Sequence, residues 1–190
     1  MNILFSLLLL LQTNSTVLEN EYVRVLTNDV ACGIASSECA DRVIVALAEI
    51  TLDGETLQRG DVRVFSPPES YRRPQGEGFL EVLVKAPRPQ LRLPAETIYV
   101  DNYNVVLHEG ERFRVMEGRL RPGDGRPRHS HNQRVIIVLN RTRLHQQPDG
   151  GPEFFSDFVP DDVSFGEPLI HAMENVGEEM LRNIVVELKP

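Results

Sequence analysis

Gly123-Asp124-Gly125-Arg126-Pro127-Arg128-His129-Ser130-His131 is a turn-rich segment that runs directly into the strand-like block Arg134-Val135-Ile136-Ile137-Val138-Leu139. Gly, Pro and Asp punctuate the first part, and a β-branched run follows, which reads as a turn feeding extended chain. Alternate residues of a strand face the same side, so His129 and His131 project from one face, about 6 to 7 Å apart along the strand. Two imidazoles placed this way can converge on one ion, and imidazole is a ligand for zinc, iron, copper, nickel and related metals. By itself the His-x-His pair is a weak signal, because the same spacing also occurs on solvated strands.

Outward from this block the chain repeats itself. Arg134 to Leu139 matches Arg42-Val43-Ile44-Val45-Ala46-Leu47. Val106 to Val115 resembles Val17 to Val25 with one residue inserted. Asp161 to Phe165 answers Asp61 to Phe65, and Val185 to Lys189 answers Glu81 to Lys85. Any one match is chance-level, but four in the same order argue for a duplicated unit of roughly 75 to 85 residues. Each unit is made of short Val/Ile/Leu segments separated by Gly, Pro, Asp and Asn, and no long stretch shows a 3.6-residue period. The sequence therefore predicts an all-β chain of two tandem barrels, jointed in the Pro-containing segment Ala86 to Glu96.

Composition is compatible with this and narrows the partners. Apolar residues make up 41% of 190 residues, charged residues 25%, and 13 Gly with 13 Pro favour many short elements. With 28 acidic and 20 basic residues the formal charge is −8, which repels phosphate backbones and speaks against nucleic acid as a partner. The arginines between Arg112 and Arg143 read as solvated surface spread over several strands. A small-molecule ligand and a homo-oligomer both stay open.

Ile3 to Leu11 is an apolar run broken only by Ser6. It is too short to span a bilayer and fits the hydrophobic region of a secretory signal, although no Lys or Arg precedes it. The expectation is a signal peptide over residues 1–16, removal of it without stable membrane insertion, and a periplasmic or secreted protein; a buried first strand is the alternative. Cys32 and Cys39 either pair in an oxidising compartment or are small buried side chains.

Gly123, six residues before His129, and the pair His129 and His131 resemble the first motif of the cupin family, G-x5-H-x-H-x(3,4)-E-x6-G. His171-Ala172-Met173-Glu174-Asn175 resembles the end of its second, H-x3-N. The resemblance covers Val106 to Lys189 well and, through the repeat, Val17 to Lys85 more weakly. It implies a bicupin: a degenerate double-stranded β-helix, or jelly-roll barrel, over residues 17–90 and a second over 97–190, with His129, His131 and His171 in the second barrel as ligands of a divalent transition metal such as Fe, Mn, Zn, Ni or Cu. Metal affinity is then expected to fall below about pH 6, where imidazole protonation competes.

The departures from the family pattern bear on function. The usual glutamate after the His-x-His is absent, since Asn132, Gln133, Arg134, Val135 and Ile136 follow. Arg134 cannot ligate a cation and, with Arg42 at the matching place, reads as structural; Gln133 either offers a carbonyl oxygen as a donor or, the preferred reading, is a solvent-facing turn residue. Gly166-Glu167-Pro168 replaces the family's P-x-G. In the first copy Ser37, Cys39 and Tyr71 fall at the places of the three histidines, so that copy either stiffens the second or walls its pocket. His108 and His145 carry no ligand spacing and read as surface residues, and residues 145–162 read as a loop whose Phe154, Phe155 and Phe158 form a lid or cover the core. Two functions follow: a metalloenzyme such as a small-molecule dioxygenase, favouring anionic substrates, or a non-catalytic metal- or small-molecule-binding barrel. No residue is identified by spacing as a catalytic acid or base.

Overall fold

The computed structural model describes residues 15–30, 41–67, 69, 73–90 and 103–190. These form β1 (Thr16–Glu19), β2 (Val23–Thr27), β3 (Asp41–Ala46), β4 (Ile50–Leu52), β5 (Glu55–Leu57), β6 (Val62–Phe65) and β7 (Phe79–Val84) in the first copy. The second copy has β8 (Asn104–Glu109), β9 (Phe113–Leu120), β10 (Gly125–His131), β11 (Arg134–Val138), β12 (Thr142–Pro148), β13 (Phe154–Phe158), β14 (Val163–Gly166), β15 (Leu169–Asn175) and β16 (Leu181–Leu188). No α-helix occurs among the described residues. The apolar run Ile3 to Leu11, the cysteines Cys32 and Cys39, Ser37, Tyr71 and the end of the Ala86 to Glu96 joint all lie outside them.

The duplication is legible in the strand order. One five-stranded antiparallel sheet runs β1-β2-β7-β3-β6 and the other β8-β9-β16-β11-β14, the same order in corresponding strands. Arg42 stands opposite Leu83 in one and Arg134 opposite Glu187 in the other. Both edge pairs even slip at the same place, between Thr16 and Leu18 and between Val106 and His108.

Register corrects two details of the sequence alignment. Phe65 faces Arg42, whereas Phe165 faces Val135 and Gly166 faces Arg134, so the structural partner of Phe165 is Val64. A one-residue slip matters in a strand because it exchanges the two faces. The turn before the strand agrees with the new register: Gly60 and Asp161 both take a left-handed backbone, with φ of 93° and 70°, and donate to the carbonyls of Ala46 and Val138. In the first block no residue is inserted, since Thr16 and Val106 lie opposite Leu26 and Met116.

The two large sheets pack back to back. Alternation along β11 sends Val135 and Ile137 to one face, where they join Val115, Ile184 and Val186 in a single buried cluster with Val25, Val43, Val45 and Val82 of the first copy. The copies thus share their largest core. Polar groups close its rim: Arg112 bonds Asp41 at 3.0 Å, and Arg59 reaches across to the Leu139 carbonyl at 2.6 Å and Asp161 at 2.7 Å. Arg112, Arg126 and Arg134 are therefore not the solvated surface the sequence suggested; the first spans the joint and the other two are buried inside the second barrel.

The other faces of the two sheets differ. In the first copy Ile44, Ala46, Ile50, Leu52, Leu57 and Phe79 form an apolar cluster under the β4–β5 hairpin. In the second, a four-stranded sheet, β10-β15-β12-β13, closes the barrel. Residues 145–162 are not a lid loop, since β12 and β13 pair as a hairpin. Phe158 packs on the barrel core while Phe154 and Phe155 stay exposed.

Candidate metal centre

β10 and β15 are antiparallel neighbours, and their register sets His129 directly opposite His171. With His131 two residues on along β10, all three imidazoles face the barrel interior and are buried. One nitrogen from each lies within 4.8 Å of the others. His129 Nε2 and His131 Nε2 are 3.0 Å apart. Two nitrogens each about 2.1 Å from one ion and roughly at right angles to each other are separated by about that distance, so the spacing suits neighbouring ligands of a single metal.

Partners on the far side of the rings orient them. His129 Nδ1 lies 2.8 Å from the Pro127 carbonyl, and His171 Nδ1 lies 2.8 Å from Gln146 Oε1. Each oxygen can only accept, so each Nδ1 carries the proton and each Nε2 keeps its lone pair for the interior. His171 Nε2 is buried and has no hydrogen-bond partner among the described residues. Lone pairs aimed at one another in a buried site are unfavourable unless a proton or cation is shared between them. The donor set fits a transition ion.

Behind His131 stands Glu187 of β16, with Oε2 3.7 Å from Nδ1 and both side chains buried. The Asn132 backbone N–H donates to Glu187 Oε1 at 2.9 Å, which holds the carboxylate in place. Burial raises the Glu187 carboxyl above the usual range. A carboxylate behind a ligating imidazole fixes the ring and increases its basicity. Glu187→Gln is expected to weaken binding of Zn2+ roughly 10- to 100-fold in competition with a chromophoric chelator, and an unchanged affinity would remove Glu187 from that role.

Electrostatics keep the imidazoles neutral. Burial, followed by the neighbouring His131, pushes His129 down to about 3, and burial followed by His129 pushes His171 down to about 2. His131 is also well below the ordinary range, again chiefly through burial. Imidazoles lowered this far are expected to yield a bound metal to protons only in solution more acidic than the ordinary imidazole range near pH 6, a point a metal titration across pH 7 to 4 checks.

Other sequence expectations resolve individually. The family's glutamate place falls on β11, where Ile136 lines the interior cavity without a carboxylate. Arg134 is structural as expected: Nη1 donates to the Glu167 carbonyl at 2.9 Å, as Arg42 Nη2 donates to the Glu69 carbonyl at 2.6 Å. Its guanidinium lies over Gly166, where a Cβ would come 2.9 Å from Arg134 Cζ, so this bracing replaces the P-x-G turn. Gln133 is not simply solvent-facing, since its Oε1 is buried. His108 stacks on Phe113, and His145 pairs with Glu153 at 2.9 Å; both are apart from the cluster. Among the described residues the cavity beside the histidines is lined by the second copy, and no described residue of the first copy walls it.

Sequence spacing missed Glu187, Gln146 and Arg126. Only Glu187 left a trace, as a carboxylate where the repeat has Leu83. Arg126 is three residues from His129, the wrong parity for a shared strand face, but a slip in the β10–β15 ladder between them turns both inward.

No protein-family model and no curated protein matches the sequence. Among solved structures the chain is similar to a cupin 2 conserved barrel domain protein from Leptotrichia buccalis, at 15% identity and a TM-score of 0.54 over 92% of this chain and 87% of that one. It also aligns with a cupin domain from Bordetella pertussis Tohama I, at 21% identity and a TM-score of 0.43, covering 46% of this chain and 92% of the other. Taken with the duplicated strand order and the three inward histidines, the likeness to the Leptotrichia buccalis protein identifies the fold: this chain is a cupin-fold protein whose second barrel carries a histidine cluster that could hold a metal ion.

Proposed function

We propose that the second barrel binds one divalent transition ion through the Nε2 atoms of His129, His131 and His171 and acts on a small oxygen-containing molecule as a metalloenzyme. The observation that carries this reading is the convergence of three neutral, buried imidazoles, two of them with Nδ1 committed to Pro127 and Gln146. A bound ion would act as a Lewis acid and leave coordination positions open to substrate or dioxygen. The chain's own residues do the rest. Pro127 and Gln146 hold the rings of His129 and His171 in orientation, Glu187 stands 3.7 Å behind His131, and the apolar wall of Leu144, Met173 and Leu181 limits water. Three neutral ligands leave the full charge of the ion uncompensated, which favours an oxygen-donor substrate.

Elemental analysis of protein purified without added metal is expected to find close to one transition ion per chain, and the Fe2+-loaded protein to consume oxygen with at least one small thiol, diketone or phenol. Metal-free protein that also fails to bind Fe2+ or Zn2+ on titration would overturn the metal reading. Metal binding without turnover of any such substrate would reduce the protein to a binding barrel.

A further inference from the structure

The cavity against the histidine cluster has a volume of about 50 Å³. An engineered cavity of roughly 150 Å³ holds one benzene, so this one has room for about two to four non-hydrogen atoms. His131 and His171 form one end of it, and Leu144, Phe158, Met173 and Leu181 form much of the wall. The guanidinium groups on the lining are already engaged. Arg126 Nη2 donates to the Tyr103 carbonyl and to Asn104 Oδ1, both at 3.0 Å, and Arg134 donates to the Glu167 carbonyl at 2.9 Å with Glu187 as its countercharge. A ligand of this space need not bring a charge of its own.

Two neutral amides on the same lining are not engaged in that way. Gln146, 7% exposed, accepts from His171 Nδ1 through Oε1. Its Nε2 carries two hydrogens and has no acceptor among the described residues. Asn183 stands opposite Gly118 in the β16–β9 ladder, and Asn104 stands on the other side of the same glycine. A Cβ at Gly118 would collide with Asn183 Oδ1, so the glycine leaves that carbonyl its place. Arg126 already serves Asn104, whereas Asn183 Oδ1 is buried and has no donor among the described residues. A donor and an acceptor left without partners inside a barrel are each costly, and a molecule that serves both supplies what the wall lacks.

We infer that this cavity takes a short primary amide: its carbonyl oxygen accepts from Gln146 Nε2, its N–H donates to Asn183 Oδ1, and any further carbon lies against Leu144 and Phe158. In so small a space the acceptor and the donor must sit on the same or the next carbon, and a primary amide carries both on one carbon without charge. A carboxylate or a ketone of the same shape keeps the acceptor but offers Asn183 no donor. A few placed polar groups in an otherwise apolar pocket are what fix a ligand's orientation. The inference deepens the metal reading and rests on it only for the nearness of the amide to an ion held by His129, His131 and His171; the two hydrogen bonds themselves need no metal.

The test is a protein-observed NMR titration of the full chain, Zn2+-loaded and metal-free, with acetamide, its isosteres acetone and acetate, and the larger benzamide. Acetamide is expected to shift a confined set of resonances saturably and to bind at least tenfold more tightly than the other three, since a site built around a donor on its ligand rejects the analogue that lacks it. Asn183→Leu is expected to bring acetamide down to the level of acetone with acetone and the Zn2+ stoichiometry unchanged, and Gln146→Met to weaken acetamide and acetone alike. Equal affinity for acetamide and acetone in the wild-type protein would overturn the proposal, whether or not the variants fold. A preference for acetate would overturn it in favour of an anion site, benzamide binding as tightly as acetamide would overturn the size limit it rests on, and no saturable binding of acetamide would leave both amides to water. If Zn2+ does not bind, the metal reading fails, and the same comparison on the metal-free chain decides the amide claim by the same tenfold criterion.

Discussion

Replacing His171 with Ala is expected to lower the affinity for Zn2+ by about 3 kcal/mol, roughly a hundredfold or more, given that structural zinc sites with a full ligand set bind with about 10 to 16 kcal/mol. His129→Ala and His131→Ala should behave alike. The reason is geometric: the three imidazoles converge from two paired strands, so losing any one leaves an ion with two protein donors in a site that cannot supply a substitute, because Ile136 occupies the place of the family's fourth ligand. His108→Ala and His145→Ala are the internal controls, since neither ring belongs to the cluster. Titration calorimetry at neutral pH decides the matter. Equal affinities for wild type and His171→Ala would mean that no three-histidine site operates, whatever the barrel binds instead.

The metal-free protein should lose stability steeply on mild acidification, and metal should restore it. An unfolded imidazole titrates near 6.5, whereas burial holds His129 at about 3 and His171 at about 2 in the folded barrel. Between these values the unfolded chain takes up protons that the native chain refuses. Stability therefore rises with pH across the window and is lost as pH falls from about 6.5 towards 3. Each histidine contributes on the order of 1 kcal/mol per pH unit, and His131 acts in the same direction. The upper part of the window, from pH 6.5 to 5, lies above the ordinary carboxylate range, so a fall there is assigned to the histidines. Urea unfolding at pH 7, 6 and 5 is the measurement. The midpoint should fall with each step in the metal-free wild type, should fall less in His129→Gln/His171→Gln, and should recover when Zn2+ is added in excess of its dissociation constant. A midpoint constant from pH 7 to 5 would mean that the folded barrel accepts these protons, and with them that the imidazoles are not held as neutral ligands.

How the site and the fold were written in the chain differs from residue to residue. The repeat of Arg42 to Leu47 at Arg134 to Leu139 was readable because both strands bury one face in the shared core. That burial demands the same alternation of β-branched residues in each copy. His129 and His131 were readable because strand alternation is a local property that needs no partner. Phe65 and Phe165 misled because two aromatic residues at similar places look equivalent, while the register is set by the hydrogen-bonded turn at Gly60 and Asp161.

By itself the sequence determined the all-β class, the duplication and the His129–His131 pair, since each rests on periodicity, collinear order or spacing within short stretches, while His171 joined the pair only through the resemblance to the cupin motifs. Only the tertiary structure decided that the copies are joined back to back through one core, that Glu187 and Gln146 stand behind His131 and His171, and that Arg126 turns inward. Each of these depends on which strand lies beside which, or on a slip in one ladder, and pairing between segments dozens of residues apart leaves no local spacing to read. The buried charge of Arg126 and Arg134 belongs to the same class: arginine in a polar segment looks like surface until the sheet that covers it is in place.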